Sequence, residues 1–63
     1  MTDYEYIIKE ARKKKFYCEE DTINENTTVV RVYQGAYYRK NYYFNSFGGL
    51  IDVEEEQADW NGV

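Results

Sequence analysis

Residues 26–51 read NTTVVRVYQGAYYRKNYYFNSFGGLI, and they contain seven of the chain's twelve aromatic side chains but no acidic residue. Valine, threonine and tyrosine favour β-strands, so this stretch predicts a sheet. Acidic runs flank it, at residues 19–21 before and 52–56 after. A tyrosine-rich sheet beside charge of one sign is typical of a surface that binds a partner.

The N-terminal segment predicts an amphipathic helix over residues 3–14. Thr2 and Glu5 have the spacing of a capping box, in which each side chain bonds the backbone N–H of the other residue. Apolar side chains then recur at helical spacing from Tyr4 to Ala11. Residues 16–18 form a short apolar run that is either a strand or the packing tail of this helix.

The β-branched run at residues 27–33 predicts the first well-defined strand. Strand alternation places Val30 and Val32 on one face and the intervening residues on the other. Residues 21–26 are polar and rich in Asn and Asp, which predicts a loop before this strand.

Two turn positions fit the segment that follows. Gln34–Gly35 can form a two-residue hairpin loop, and this interpretation is favoured. The alternative makes Gly35 a bulge and places the turn at residues 39–41. Residues 42–44 are strand in both cases, Gly48–Gly49 is a clear turn, and residues 50–53 form the last strand.

These elements predict an α+β fold: one N-terminal helix packed on a three- to four-stranded antiparallel sheet. Residues 1–63 form a single small domain, in which residues 54–63 are acidic and fray, and residues 57–63 are a tail that Trp60 could anchor. One short helix covers one face of such a sheet. Part of the aromatic surface therefore stays exposed.

The residue inventory argues against catalysis and against bound cofactors. The chain has no histidine, so a Ser–His or Cys–His pair is impossible. Cys18 is the single cysteine, which excludes an internal disulfide and, together with the lack of histidine, argues against a zinc site of the usual kind. We predict no enzyme activity, no cofactor and no metal site.

Charge and hydropathy limit the partners and the compartment. A net charge of −4 disfavours non-specific binding to nucleic acid or to anionic membranes. No apolar run approaches the ~18 residues of a transmembrane helix. The lone thiol and the absence of an export signal at the N-terminus predict the cytoplasm, which is the host cytoplasm if a phage encodes the chain.

Two groups of side chains are candidates for binding a protein. Tyrosine and arginine dominate protein–protein hot spots, and carboxylates along a strand can occupy a basic groove in place of phosphates. The predicted partner-binding residues are Tyr37, Tyr38, Arg39, Tyr42, Tyr43, Asp52, Glu54, Glu55 and Glu56. The basic residues 12–15 fit the preference of a helix C-terminus for cations, which is the favoured interpretation. The alternative is that they contact phosphate or the acidic surface of a partner.

In size and charge the chain resembles the small acidic α+β inhibitors that phages and mobile elements use against host machinery, such as anti-CRISPR proteins and DNA mimics. That resemblance implies a non-enzymatic protein that blocks a basic, nucleic-acid-processing partner. A first alternative is direct binding of single-stranded nucleic acid by residues 37–43. A second is a structural homo-oligomer, most simply a homodimer joined through exposed sheet edges.

Overall fold

The computed structural model describes residues 1–57, which form one helix and four strands. The elements are α1 (Asp3–Lys13), β1 (Tyr17–Asn24), β2 (Thr27–Tyr33), β3 (Tyr38–Phe44) and β4 (Leu50–Gln57). Neighbouring strands pair antiparallel in the order β1-β2-β3-β4. The predicted α+β class is confirmed, with four strands. Within the described residues, α1 is the single helix and is too short and polar to cross a bilayer.

The helix begins with the predicted capping box. The Thr2 hydroxyl accepts a hydrogen bond from the Glu5 N–H at 3.2 Å, and a Glu5 carboxylate oxygen accepts one from the Thr2 N–H at 3.3 Å. At the other end, Lys15 takes a positive φ of 62° and the Phe16 N–H bonds the Ala11 carbonyl at 3.0 Å. This reversal ends α1 one residue earlier than predicted.

The core lies between α1 and one face of the sheet, here called the helix face. Ala11, Val30, Val32 and Phe44 are its buried members. The Tyr4 ring meets Phe44 edge-on, with centroids 5.4 Å apart. The predicted alternation along β2 is confirmed, because Val30 and Val32 face the helix.

The loop predicted at residues 21–26 is largely wrong. Residues 21–24 belong to β1, and the turn consists of Glu25 and Asn26 alone. Cross-strand pairing with β2 holds these polar residues extended, and the Asn24 side chain closes the turn by accepting the Asn26 N–H at 2.8 Å. The strand interpretation of residues 16–18 is correct from Tyr17 onward.

The favoured turn position before β3 is correct, but the connection is longer than two residues. It spans residues 34–37, with Gly35 at φ 137° and the Gln34 N–H bonded to the Tyr38 carbonyl at 3.0 Å. The alternative turn at residues 39–41 is wrong, since these residues lie inside β3. The turn at Gly48–Gly49 is confirmed.

The last strand is longer than predicted. Acidic residues 54–56, which we predicted to fray, pair with residues 41–39 of β3, and the strand continues to Gln57. The extension of β4 beyond Val53 is explained by the pairing of Glu55 and Glu56 with the basic residues Lys40 and Arg39 of β3. Residues 58–63 of the predicted tail, including Trp60, lie outside the described residues.

Candidate binding surface

The side of the sheet turned away from α1 carries a polar and aromatic surface, here called the open face. The register aligns its side chains in rows across all four strands. The members are Tyr17, Glu19 and Asp21 of β1, Val29, Arg31 and Tyr33 of β2, Arg39, Asn41 and Tyr43 of β3, and Asp52, Glu54 and Glu56 of β4. Val29 and Asn41 of this group are buried. The basic groups thus occupy the central strands, and the carboxylates occupy both outer strands.

One row of the open face joins two tyrosines to an ion pair. The Tyr17 and Tyr33 ring centroids lie 5.6 Å apart. The Arg39 guanidinium carbon lies 5.5 Å from the Tyr33 ring centroid, within cation–π range, and its Nη1 donates to the Tyr33 hydroxyl at 3.1 Å. Arg39 Nε donates to Glu56 Oε2 at 2.9 Å, and Nη2 contacts the same oxygen. The row therefore has a fixed geometry.

Glu56 is held by a second donor, the buried side chain of Asn41. Its Nδ2 donates to Glu56 Oε2 at 2.7 Å. Hydrogen bonds from Asn41 and then from Arg39 lower the pKa of Glu56 below its ordinary value of 4.5. Donors that favour the charged form keep this carboxylate ionised at neutral pH.

Two further carboxylates of the outer strands contact donors of the central strands, in each case diagonally between neighbouring rows. Arg31 Nη2 lies 3.7 Å from Asp21 Oδ2. The Tyr43 hydroxyl donates to Glu54 Oε1, and this bond is the main cause of the raised pKa of Tyr43. Five carboxylates and two guanidinium groups make the open face acidic, with a formal excess of three negative charges.

The structure brings together five of the nine predicted partner-binding residues. Arg39, Tyr43, Asp52, Glu54 and Glu56 all belong to the open face. This grouping follows from their pairing, because Arg39, Asn41 and Tyr43 lie directly opposite the three β4 carboxylates.

The other four predicted residues lie elsewhere. Tyr42 and Tyr38 belong to the helix face, where Tyr42 lies opposite Val30 and packs against the core. Glu55 is also on that face and lies 3.8 Å from Lys40. Tyr37 is exposed in the β2–β3 loop. The tyrosines of β3 therefore do not form one aromatic surface.

Sequence reasoning missed the contribution of β1 and β2 to the open face. Tyr17, Glu19 and Asp21 alternate with helix-face residues, and this period of two was the available signal. The polar composition of residues 21–26, which predicts a loop, conceals this signal. Glu20, between two open-face residues, instead accepts a hydrogen bond from the Tyr4 hydroxyl at 2.7 Å.

Open grooves flank α1 on the other side of the molecule. One, of about 200 Å³, is lined by Tyr6, Ile7, Lys14 and Tyr42 among others, and one of about 320 Å³ lies against Cys18. Burial raises the pKa of the Cys18 thiol, which makes it a weaker nucleophile. Among residues 1–57, no group of three or more Cys, Asp or Glu side chains is placed to hold a metal ion.

No protein-family model, curated protein or solved structure matches this chain.

Proposed function

We propose that this chain is a non-enzymatic binding protein whose acidic open face and outer strand β4 occupy a basic site on a nucleic-acid-processing protein. The observation that supports this most directly is the series of carboxylates along β4, an outermost strand that is exposed along its whole length. Such a surface attracts a basic partner and repels competing nucleic acid. An inhibitor of the phage or anti-CRISPR type would have this property.

Hydrogen bonds to two of the β4 carboxylates give further support to a binding role for this strand. Asp52, Glu54 and Glu56 follow one another at two-residue steps, about 7 Å apart along a strand. Tyr43 holds Glu54, while Asn41 and Arg39 hold Glu56. Side chains that are already ordered lose less conformational entropy when they bind, which favours affinity.

Direct binding of single-stranded nucleic acid has less support. The two basic residues of the candidate segment, Arg39 and Lys40, already face the β4 carboxylates Glu56 and Glu55. A phosphate backbone would have to displace these carboxylates against the acidic charge of the open face. Binding of single-stranded DNA or RNA at low salt in a filter assay would favour this alternative.

A capture experiment with matched variants tests the proposal. Wild-type protein, a Glu54→Gln/Glu55→Gln double variant and a Glu10→Gln/Glu25→Gln control are used to capture proteins from nuclease-treated cell lysate. Both variants lose two carboxylates, but the control loses them away from β4. We expect one dominant basic protein that is retained by the control and depleted by the β4 variant.

The captured protein then decides whether the interaction blocks nucleic acid. Its binding to DNA or RNA is titrated with wild-type chain, and we expect competition that weakens with added salt. Equal capture by the two double variants would contradict the proposal, as would a captured protein that binds nucleic acid and this chain together.

A further inference from the structure

Within residues 1–57, no strand pairs with the outer edge of β4. β4 is the terminal strand of the sheet, its eight residues from Leu50 to Gln57 are all exposed, and β3 pairs with one side of it only. The chain contains no proline, which would block pairing along an edge. A long edge of this kind, which only its charged side chains protect, is a template for a strand of complementary charge.

Local hydrogen bonds identify the backbone groups that face outward. The Val53 N–H donates to Oδ1 of Asp52 at 2.9 Å instead of to β3. The Tyr38 carbonyl accepts from Gln34, so Tyr38 and alternate residues of β3 face β2, and the residues between them face β4. On β4 the same alternation turns the N–H groups of Val53, Glu55 and Gln57 to the outer edge.

The side chains along this edge define the chemistry of an incoming strand. Asp52, Glu54 and Glu56 lie on the open face. The helix face carries Val53, with 40% of its surface exposed, and Glu55, which already lies 3.8 Å from Lys40. Opposite-charge pairs between neighbouring strands are stabilising, and like-charge pairs are destabilising. A matching strand therefore alternates basic residues with apolar ones.

A second copy of this chain does not meet that requirement. Both outer strands are acidic, with residues 19–21 on β1 and residues 52 and 54–56 on β4. Pairing β4 with another β4, or with β1, would place carboxylates against carboxylates.

We propose that β4 binds its partner by strand addition, accepting an extended segment in which Lys or Arg alternates with apolar residues. This mode rests on the proposed function, since it specifies how the basic partner docks. The incoming strand bonds the outward groups of Val53 and Glu55 and displaces the Asp52 carboxylate from the Val53 N–H. The released carboxylate then faces a basic side chain of the partner.

A synthetic peptide provides the probe. The peptide has seven residues, alternating Lys and Val, with both ends blocked. It is titrated into ¹⁵N-labelled protein at low salt, and amide hydrogen exchange is measured at each position. We expect the exchange of the outward Val53 and Glu55 amides to slow by about tenfold or more, because strand addition places them in a backbone ladder.

Two substitutions at one position separate the contribution of a backbone hydrogen bond to peptide binding from the contribution of a charge. Glu55→Pro removes an outward N–H and spares the β3 ladder, and proline is tolerated at such an edge position. Glu55→Gln removes the same carboxylate but keeps the N–H. We expect Glu55→Pro to weaken peptide binding about tenfold relative to Glu55→Gln, which corresponds to about 1.4 kcal/mol. Unchanged amide spectra of β1–β3 confirm that the Pro variant is folded.

The outcomes distinguish this inference from the function on which it rests. Equal affinity of the Pro and Gln variants, with unchanged exchange at Val53 and Glu55, overturns strand addition and leaves a charge-based interface intact. Absence of peptide binding at low salt also overturns strand addition. Binding that is insensitive to Glu54→Gln/Glu55→Gln and to salt instead contradicts the proposed acidic surface.

Discussion

Asn41 is the residue whose burial the sequence least suggests. It is polar and only 5% exposed, at the centre of the open face. Its Nδ2 donates to Glu56, and its Oδ1 is buried without a hydrogen-bond partner among the described residues. The triplet Arg39–Lys40–Asn41 resembles a turn by composition, but β4 supplies carboxylates for the two bases and the amide. Contacts across the sheet therefore override the local preference.

Replacing Asn41 with Asp places a second carboxylate beside Glu56 in a buried position. We expect Asn41→Asp to lower the free energy of unfolding at neutral pH by about 2 kcal/mol or more, because the new charge is poorly solvated and repelled. Urea denaturation measures the change. Asn26→Asp adds the same charge in the exposed β1–β2 turn and serves as the control. An equal decrease in the free energy of unfolding in both variants would contradict a role for the buried Asn41 amide in holding Glu56.

The depressed pKa of Glu56 predicts a contribution to acid sensitivity. Asn41 and Arg39 stabilise the charged carboxylate in the fold, so the contribution is present above the ordinary value of 4.5 and is lost as the pH falls through the lower folded-state pKa. We expect the urea midpoint of wild type to fall more steeply than that of Glu56→Gln as the pH falls below about 4.5. Parallel pH dependence of the two urea midpoints would show that Glu56 does not contribute to the loss of stability in acid.

At the scale of elements, the start of α1 is attached to the β3–β4 turn. The Tyr4 N–H bonds the Gly48 carbonyl at 3.0 Å, and the Leu50 N–H donates to Asp3 Oδ2 at 3.0 Å. A Cβ built on Gly48 would lie 3.0 Å from the Thr2 side chain. Capping of the helix and docking on the sheet thus share the same few residues, which sets the position of α1 on the helix face.

Two glycines with positive φ allow this contact to be tested. We expect Gly48→Ala, at φ 84°, to destabilise the fold by about 1 kcal/mol or more beyond Gly35→Ala, at φ 137°, where a Cβ would meet nothing within 4 Å. Both substitutions strain the backbone, but only Gly48→Ala also brings a Cβ against the Thr2 side chain. Urea denaturation of the two variants provides the comparison. Equal destabilisation would mean that Thr2 moves aside without cost.

At the scale of the whole molecule, charge is separated between the helix and the sheet. Residues 1–15 carry five basic and three acidic side chains, whereas residues 16–57 carry eight acidic and three basic ones. The acidic residues include both outer strands, whose edges would otherwise be free to pair. Charge thus opposes pairing of sheet edges in a homodimer, which is one of the alternatives that the sequence allows.

Light scattering at two protein concentrations tests this opposition. We expect a monomer at low ionic strength, because carboxylates on β1 and β4 repel one another. Salt near 1 M shortens the screening length to about 3 Å, so any association through the edges should increase there. A dimer that forms at low salt and dissociates as salt is added would contradict the expectation and indicate pairing of a basic helix end with an acidic sheet.

The sequence by itself determined the helix with its cap, the Thr27–Tyr33 strand, the turn at Gly48–Gly49 and the acidic balance. These features depend on neighbouring residues and on local periodicity, which a single sequence displays. Only the tertiary structure decided that β1 and β4 extend through their acidic runs and that the β3 tyrosines lie on opposite faces. Arg39 and Glu56 are separated by 17 residues and become partners only in the folded sheet. Polar residues form strands here because of contacts with partners that are distant in sequence. Local β-propensity contains no information about those partners.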